Sequence, residues 1–205
     1  MPASPSRSTY ALAAQAFAAQ VARIPADAWD GPGLGEWDLR ALVGHASRSP
    51  VTVLTYLPRT TPTAAVTSVA EYYRAAATLM AADPAAVTER GRQAGAALGD
   101  DPAAAVTDLV TRSLAALDAT AGDPIIETIV GGMRLEQYLV TRIFELVVHG
   151  LDIAAATGQA YEPPPAALTA SLRLAVEVAE LRGDGAALLL ALTGRRTLPR
   201  GFSVV

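Results

Sequence analysis

His45 and His149 are the only imidazoles in a chain of 205 residues, and each sits in a stretch that reads as helix. His149 belongs to "TRIFELVVHGLDIAAATG", residues 141–158, where Arg142, Glu145, His149 and Asp152 interrupt an apolar run. Side chains three or four apart on a helix share a face, so these four groups form one stripe. An unpartnered buried charge is costly. The stripe therefore needs water, an opposite charge or a metal, and its apolar flanks make plain water the least comfortable of the three. One reading is an ion-pair ladder, Arg142 with Glu145 and His149 with Glu145 or Asp152, facing solvent or another subunit. The other brings in His45, three residues after Leu42 near the inward face of a second helix. His45, Glu145 and His149 make two imidazoles and one carboxylate, the donor set of open catalytic zinc sites and of iron(II) facial triads. Such a set leaves coordination positions for water or substrate. Arg142 and Asp152 would then be the catalytic auxiliaries that orient ligands or substrate. Spacing alone leaves both readings open.

The elements that must position these groups are helical. A first helix is expected over about Ser8–Ile24, with Leu12, Phe17, Val21 and Ile24 as its apolar side. After the loop "PADAWDGPGLGEW", Asp38 is the expected N-cap of a helix burying Leu39, Leu42, Val43 and Ala46, with a kink or break at Pro50. A third element begins near Val66. Asp83-Pro84 restarts a short helix, and "GDDP" at 99–102 marks a turn before another long one. "PIIETIVGG" reads as a short β-rich stretch, an extended approach to the helix of about Met133–Thr157, with Gly158 as its C-cap. Beyond "PPP" at 163–165, helices are expected over about Ala166–Leu181 and Asp184–Thr193. Trp29, Trp37, Tyr72, Tyr73 and Tyr138 are candidates to line a pocket, although aromatics so placed are more often core.

Composition narrows the chemistry. Hydrophobic residues make up 51% of the chain and charged residues 18%, enough to bury one sizeable core. Alanine abundance favours an all-α fold, a bundle of about four long helices with satellites. The net charge of −4 and the lack of a basic stripe argue against a nucleic-acid partner. With no cysteine, disulfides, thiolate metal sites and a cysteine nucleophile are excluded. All 16 basic residues are arginine, which excludes lysine Schiff-base chemistry. The apolar run "YALAAQAFAAQVA" is broken by Gln15 and Gln20 at helical spacing and reads as an amphipathic helix, not a signal peptide. With no segment long enough to span a membrane, a cytoplasmic protein is the expectation.

Two motifs carry a resemblance. "EWDLRALVGHASRSP", with Trp37, Asp38, Leu42 and His45, resembles the first metal-binding helix of the mycothiol-dependent maleylpyruvate isomerase N-terminal family, in the DinB-like superfamily. "TRIFELVVHGLDIAAATG", with Arg142, Glu145, His149, Gly150, Asp152 and Gly158, resembles the second. The closing "LLLALTGRRTLPRGFSVV" is also similar to tails in this family. The resemblance implies a DinB-like four-helix bundle over residues 1–160 and additional short C-terminal helices over 161–205, packed on the bundle. About 40 residues follow Pro165, too few for the complete sterol-carrier-like domain of the full isomerase, so maleylpyruvate is not carried over as substrate.

The ligand roles implied are those of His45, Glu145 and His149 for a divalent metal, commonly zinc, with iron(II) or nickel(II) as alternatives. A low-molecular-weight thiol such as mycothiol is the implied cosubstrate. A metal-bound thiolate would attack a small electrophile, in an isomerase or S-transferase reaction. The alternatives are a metal-dependent hydrolase, with Asp152 or another carboxylate as base, and a non-catalytic metal-binding or regulatory bundle. A monomer or a homodimer is compatible with the resemblance.

Overall fold

The computed structural model describes residues 4–81 and 83–205. Its helices are α1 (Pro5–Val21), α2 (Leu39–Tyr56), α3 (Val69–Ala81), α4 (Pro84–Ala96), α5 (Pro102–Ala119), α6 (Leu135–Thr157), α7 (Pro165–Leu181) and α8 (Gly185–Leu192). Between α5 and α6 lies one antiparallel hairpin, β1 (Ile125–Thr128) and β2 (Gly131–Arg134), in register Ile125 to Arg134. Helices α1, α2, α5 and α6 pack pairwise into a four-helix bundle, so the fold is the all-α bundle expected. α4 lies against α2, and α7 against α6, α3 and α1. Among the described residues no helix is long and apolar enough to cross a membrane.

The bundle core follows helical periodicity. α1 buries Tyr10, Ala13, Ala14, Phe17 and Val21; α6 buries Leu135, Leu139, Ile143, Leu146, Val147 and Ile153. Each large apolar side chain among these contributes roughly 1.5–3 kcal/mol by leaving water. Leu12, expected on the apolar side of the first helix, is instead exposed. The buried arc of α1 runs through Tyr10 and the alanines, one step round from Leu12. That first helix also begins earlier than expected, because Ser4 caps it by accepting from Arg7 N. Arg7 Nε in turn pairs with Glu136 Oε1 at 3.0 Å and fastens α1 to the start of α6.

Three local details position the site. Asp38 caps α2 as expected, accepting from Ala41 N at 2.7 Å. The break considered at Pro50 does not occur; α2 runs unbroken from Leu39 to Tyr56. Pro50 lies in the buried face of α2, and the neighbouring Ser49 hydroxyl donates to Arg142 O at 3.0 Å. This burial against α6 is tertiary packing, which helix propensity at a proline does not include. The β-rich approach to α6 folds as a two-stranded hairpin, and Met133 belongs to β2, so α6 starts at Leu135. Gly132 O accepts from Ala65 N and Val66 N at 2.8 and 3.0 Å, which seats the loop leading into α3. The amides of residues 65 and 66 are thus bonded to the hairpin and not to a helix, and α3 starts at Val69 rather than near Val66.

Candidate metal centre

α2 and α6 cross so that His45 faces the polar stripe of α6. Ligand atoms of His45, Glu145 and His149 all lie within 4.8 Å of one another. The two imidazoles meet edge to face, with ring centroids 4.9 Å apart. Two donors on one zinc at about 2.0–2.2 Å stand at most about 4.4 Å apart, so the set is gathered to nearly that span. A buried His45 Nδ1 has no hydrogen-bond partner among the described residues. Buried polar atoms are rarely left so, and an ion beside the ring is one way of satisfying the imidazole. These residues fit a divalent cation.

The neighbours prepare each donor differently. His149 Nδ1 lies 3.0 Å from Asp152 Oδ2, and Nε2 lies 3.4 Å from Glu145 Oε2. Burial alone would lower the His149 pKa, but the hydrogen bonds to Asp152 and Glu145 outweigh it and raise it to about 9. Burial likewise pushes Glu145 up, yet the bond from His149 and the charge of Arg142 prevail and hold it at about 2. His45 is lowered to about 4, first by burial and then by the nearby His149 charge. At neutral pH the set is therefore one carboxylate, one neutral imidazole and one imidazolium. The Tyr73 hydroxyl donates to Glu145 Oε1 at 2.8 Å, and burial keeps this phenol protonated well past its ordinary range. Trp37 lies against His45, with centroids 4.6 Å apart, and its Nε1 donates to Thr88 O at 2.9 Å. The ring that limits His45 is thus itself pinned to α4.

Each sequence-derived candidate can be placed. His45, Glu145 and His149 come together, and Asp152 stands behind His149. Arg142 lines the same cavity but makes no ion pair with Glu145, so that rung of the proposed ladder is missing; the two His149 rungs are present. Arg142, Glu145 and His149 line a cavity of about 590 Å³, and Asp152 lies outside it. Of the five aromatic candidates, Trp37, Tyr72, Tyr73 and Tyr138 line it. Trp29 does not: it is buried in the core. Arg48, Tyr56, Met80 and Ile129 also line the cavity and were not anticipated. Tyr56 and Arg48 were legible in principle, lying 11 and 3 residues after His45, at 3.6-residue spacing on the same side of α2. Ile129, at the hairpin turn, carries no such signal.

One protein-family model, described as the mycothiol maleylpyruvate isomerase N-terminal domain, matches residues 10–154. The match spans both histidine motifs and most of the bundle. Comparison with curated proteins and with solved structures returns no match.

Proposed function

This chain belongs to the mycothiol maleylpyruvate isomerase N-terminal domain family of the DinB-like superfamily, and on that premise we propose that it is a metal-dependent enzyme joining a low-molecular-weight thiol to a small electrophile. The reaction is of the isomerase or S-transferase type. The observation that carries the reading is the convergence of His45, Glu145 and His149 from two helices at the wall of one cavity. A divalent cation held there, zinc being the best match to the donor set, would supply a positive charge that favours the thiolate form of the thiol. Mycothiol is the thiol the family suggests.

The chain's own residues do the rest. Asp152 takes the Nδ1 side of His149 and leaves Nε2 as donor. Tyr73 occupies Glu145 Oε1 and leaves Oε2 on the His149 side. His45 stays neutral across the physiological range, so it offers a lone pair without first losing a proton. Tyr56, Tyr72, Met80 and Ile129 give the electrophile an apolar wall that keeps water from competing with the thiol. The cavity lies within the usual range for small-molecule sites.

The test is thiol consumption by zinc-loaded protein, with mycothiol and a panel of activated alkenes, epoxides and alkyl halides, followed by mass spectrometry. The expected result is a thioether product, or a cis–trans isomer formed only with thiol present, that disappears in His45→Ala. Turnover without thiol would make the protein a hydrolase. Tight metal binding with no turnover of any electrophile would leave a non-catalytic binding or regulatory bundle.

A further inference from the structure

α8 carries no polar side chain, and none of its residues is buried. Leu189 is 63% exposed and Leu192 73%. A helix apolar all round is normally enclosed by its neighbours, so α8 presents an unpartnered apolar surface. Basic residues follow it. Gly194, at φ +70°, reverses the chain, and Arg195 N and Arg196 N both donate to Leu190 O, at 2.8 and 3.2 Å. The two arginines are thereby folded back on the last turn of the helix. Arg195, Arg196 and Arg200 are exposed, while Arg182, before α8, is paired with Asp184. Residues 185–205 hold these three arginines and no acid, a charge of +3 in a protein of net charge −4, so the remainder stands at −7.

Whatever covers α8 must accept both features. Its 8 residues span about 12 Å, too short to cross a bilayer. They suit the bilayer interface, where leucines enter the acyl boundary and arginines meet anionic headgroups. The composition also suits lipid. α8 is built from leucine, alanine and glycine, without the aromatic and methionine anchors that enrich protein interfaces, where alanine is depleted. A second copy of the chain fits less well, since a two-fold contact over α8 would bring the arginines of one copy towards the same arginines of the other. We propose that α8, with Arg195, Arg196 and Arg200, docks the protein on an anionic membrane surface. The segment joins the cavity at both ends, through Leu181 and Arg182 before α8 and Val204 and Val205 after the arginines. Docking therefore holds the cavity near the lipid, where apolar ligands collect. The docking itself requires neither metal nor thiol.

The test is flotation of the full chain with vesicles of phosphatidylcholine, alone or with about 30% phosphatidylglycerol. It is run at about 0.1 M and about 1 M salt, where charges act over about 10 Å and about 3 Å. The protein is expected to float with the anionic vesicles at low salt, and to bind the neutral ones about tenfold or more weakly. Leu189→Gln combined with Leu192→Gln should abolish flotation. Arg195→Gln combined with Arg196→Gln should weaken it about tenfold or more and flatten the salt dependence. All of these positions are exposed, and unchanged circular dichroism and melting temperature would show both variants folded. No flotation, equal binding to neutral and anionic vesicles, or flotation unaltered in either folded variant would each overturn the docking. So would a dimer in sedimentation equilibrium that the leucine changes dissociate, or an acidic protein partner lost with the same changes, where vesicles do not bind; α8 would then be a protein interface. Thiol turnover without flotation would keep the proposed enzyme and remove the docking, and flotation without turnover would do the reverse.

Discussion

Tyr73, on α3, donates a hydrogen bond to Glu145, on α6, at 2.8 Å. The two residues are 72 apart in the chain, and the bond leaves one carboxylate oxygen toward His149. A hydrogen bond to a charged group contributes roughly 1.5–3 kcal/mol, and a partner that orients a metal ligand is typically worth about 10–100-fold in affinity. Tyr73→Phe is therefore expected to weaken zinc binding about tenfold or more in a competition titration with a chromophoric chelator. Unchanged affinity would show that Glu145 needs no such anchor.

The two histidine motifs should act as one site. Metal content measured by plasma mass spectrometry is expected to be about one ion per chain, as three protein donors allow. It should fall to background in either His45→Ala or His149→Ala, while circular dichroism still shows the bundle. Full metal content in His45→Ala would confine the site to α6.

Asp152 reaches the metal centre only through His149 Nδ1, at 3.0 Å. Asp152→Asn keeps the shape and removes the charge. The expected outcome is zinc affinity lower by about 10–100-fold, with the melting temperature of the metal-free protein also lowered, because His149 loses part of what keeps it charged. A variant indistinguishable from wild type in both would take Asp152 out of the site.

Protonation gives a signature that needs no substrate. In the metal-free protein at pH 7, His149, with a pKa of about 9, is charged, whereas His45, at about 4, is neutral and Glu145, at about 2, is ionised. Metal binding must displace the His149 proton, so about one proton should be released per ion, seen as a buffer-dependent calorimetric heat. Affinity should rise with pH and level off above about 9. The stability of the metal-free fold runs the opposite way. The raised His149 value stabilises the folded state in full below its unfolded value near 6.5, and this is lost as pH climbs through about 9. Proton release near zero at pH 7 would contradict the charged His149.

Gly44 precedes His45 at the crossing of α2 and α4. A Cβ there would overlap the backbone of Gly95. Overpacking of this kind typically costs about 1–3 kcal/mol, and backbone atoms yield less than side chains do. Gly44→Ala should lower the denaturant midpoint accordingly and, by shifting α2, weaken metal binding. A variant of wild-type stability would mean that the two helices can separate freely.

Much of this protein was legible in the sequence because its signals are local. Asp38 as a cap and Gly158 as a left-handed C-cap, at φ +68°, follow from backbone chemistry at a single residue. The inward faces of α2 and α6 follow from 3.6-residue periodicity, which also places Glu145, His149 and Asp152 on one stripe. Leu12 was misplaced because alanine is apolar enough to serve on either side of a helix, so the pattern left the buried arc of α1 undetermined. At Pro50 a break is one of the two outcomes that propensity allows, and α2 continues through it because propensity counts the lost hydrogen bond and not the burial of this face of the helix.

The sequence by itself therefore determined which groups could bind a metal and which helix faces carry them, since those depend on spacing within one helix. Only the tertiary structure decided that His45 meets Glu145 and His149, that Tyr73 reaches Glu145, and that Arg142 packs among Tyr72 and Tyr138 without a direct ion pair to Glu145. These relationships depend on how α2, α3 and α6 cross. That crossing is set by the summed packing of many side chains, including the Ser49–Arg142 contact between α2 and α6 and the seat that Gly132 offers residues 65 and 66, and no single motif encodes it.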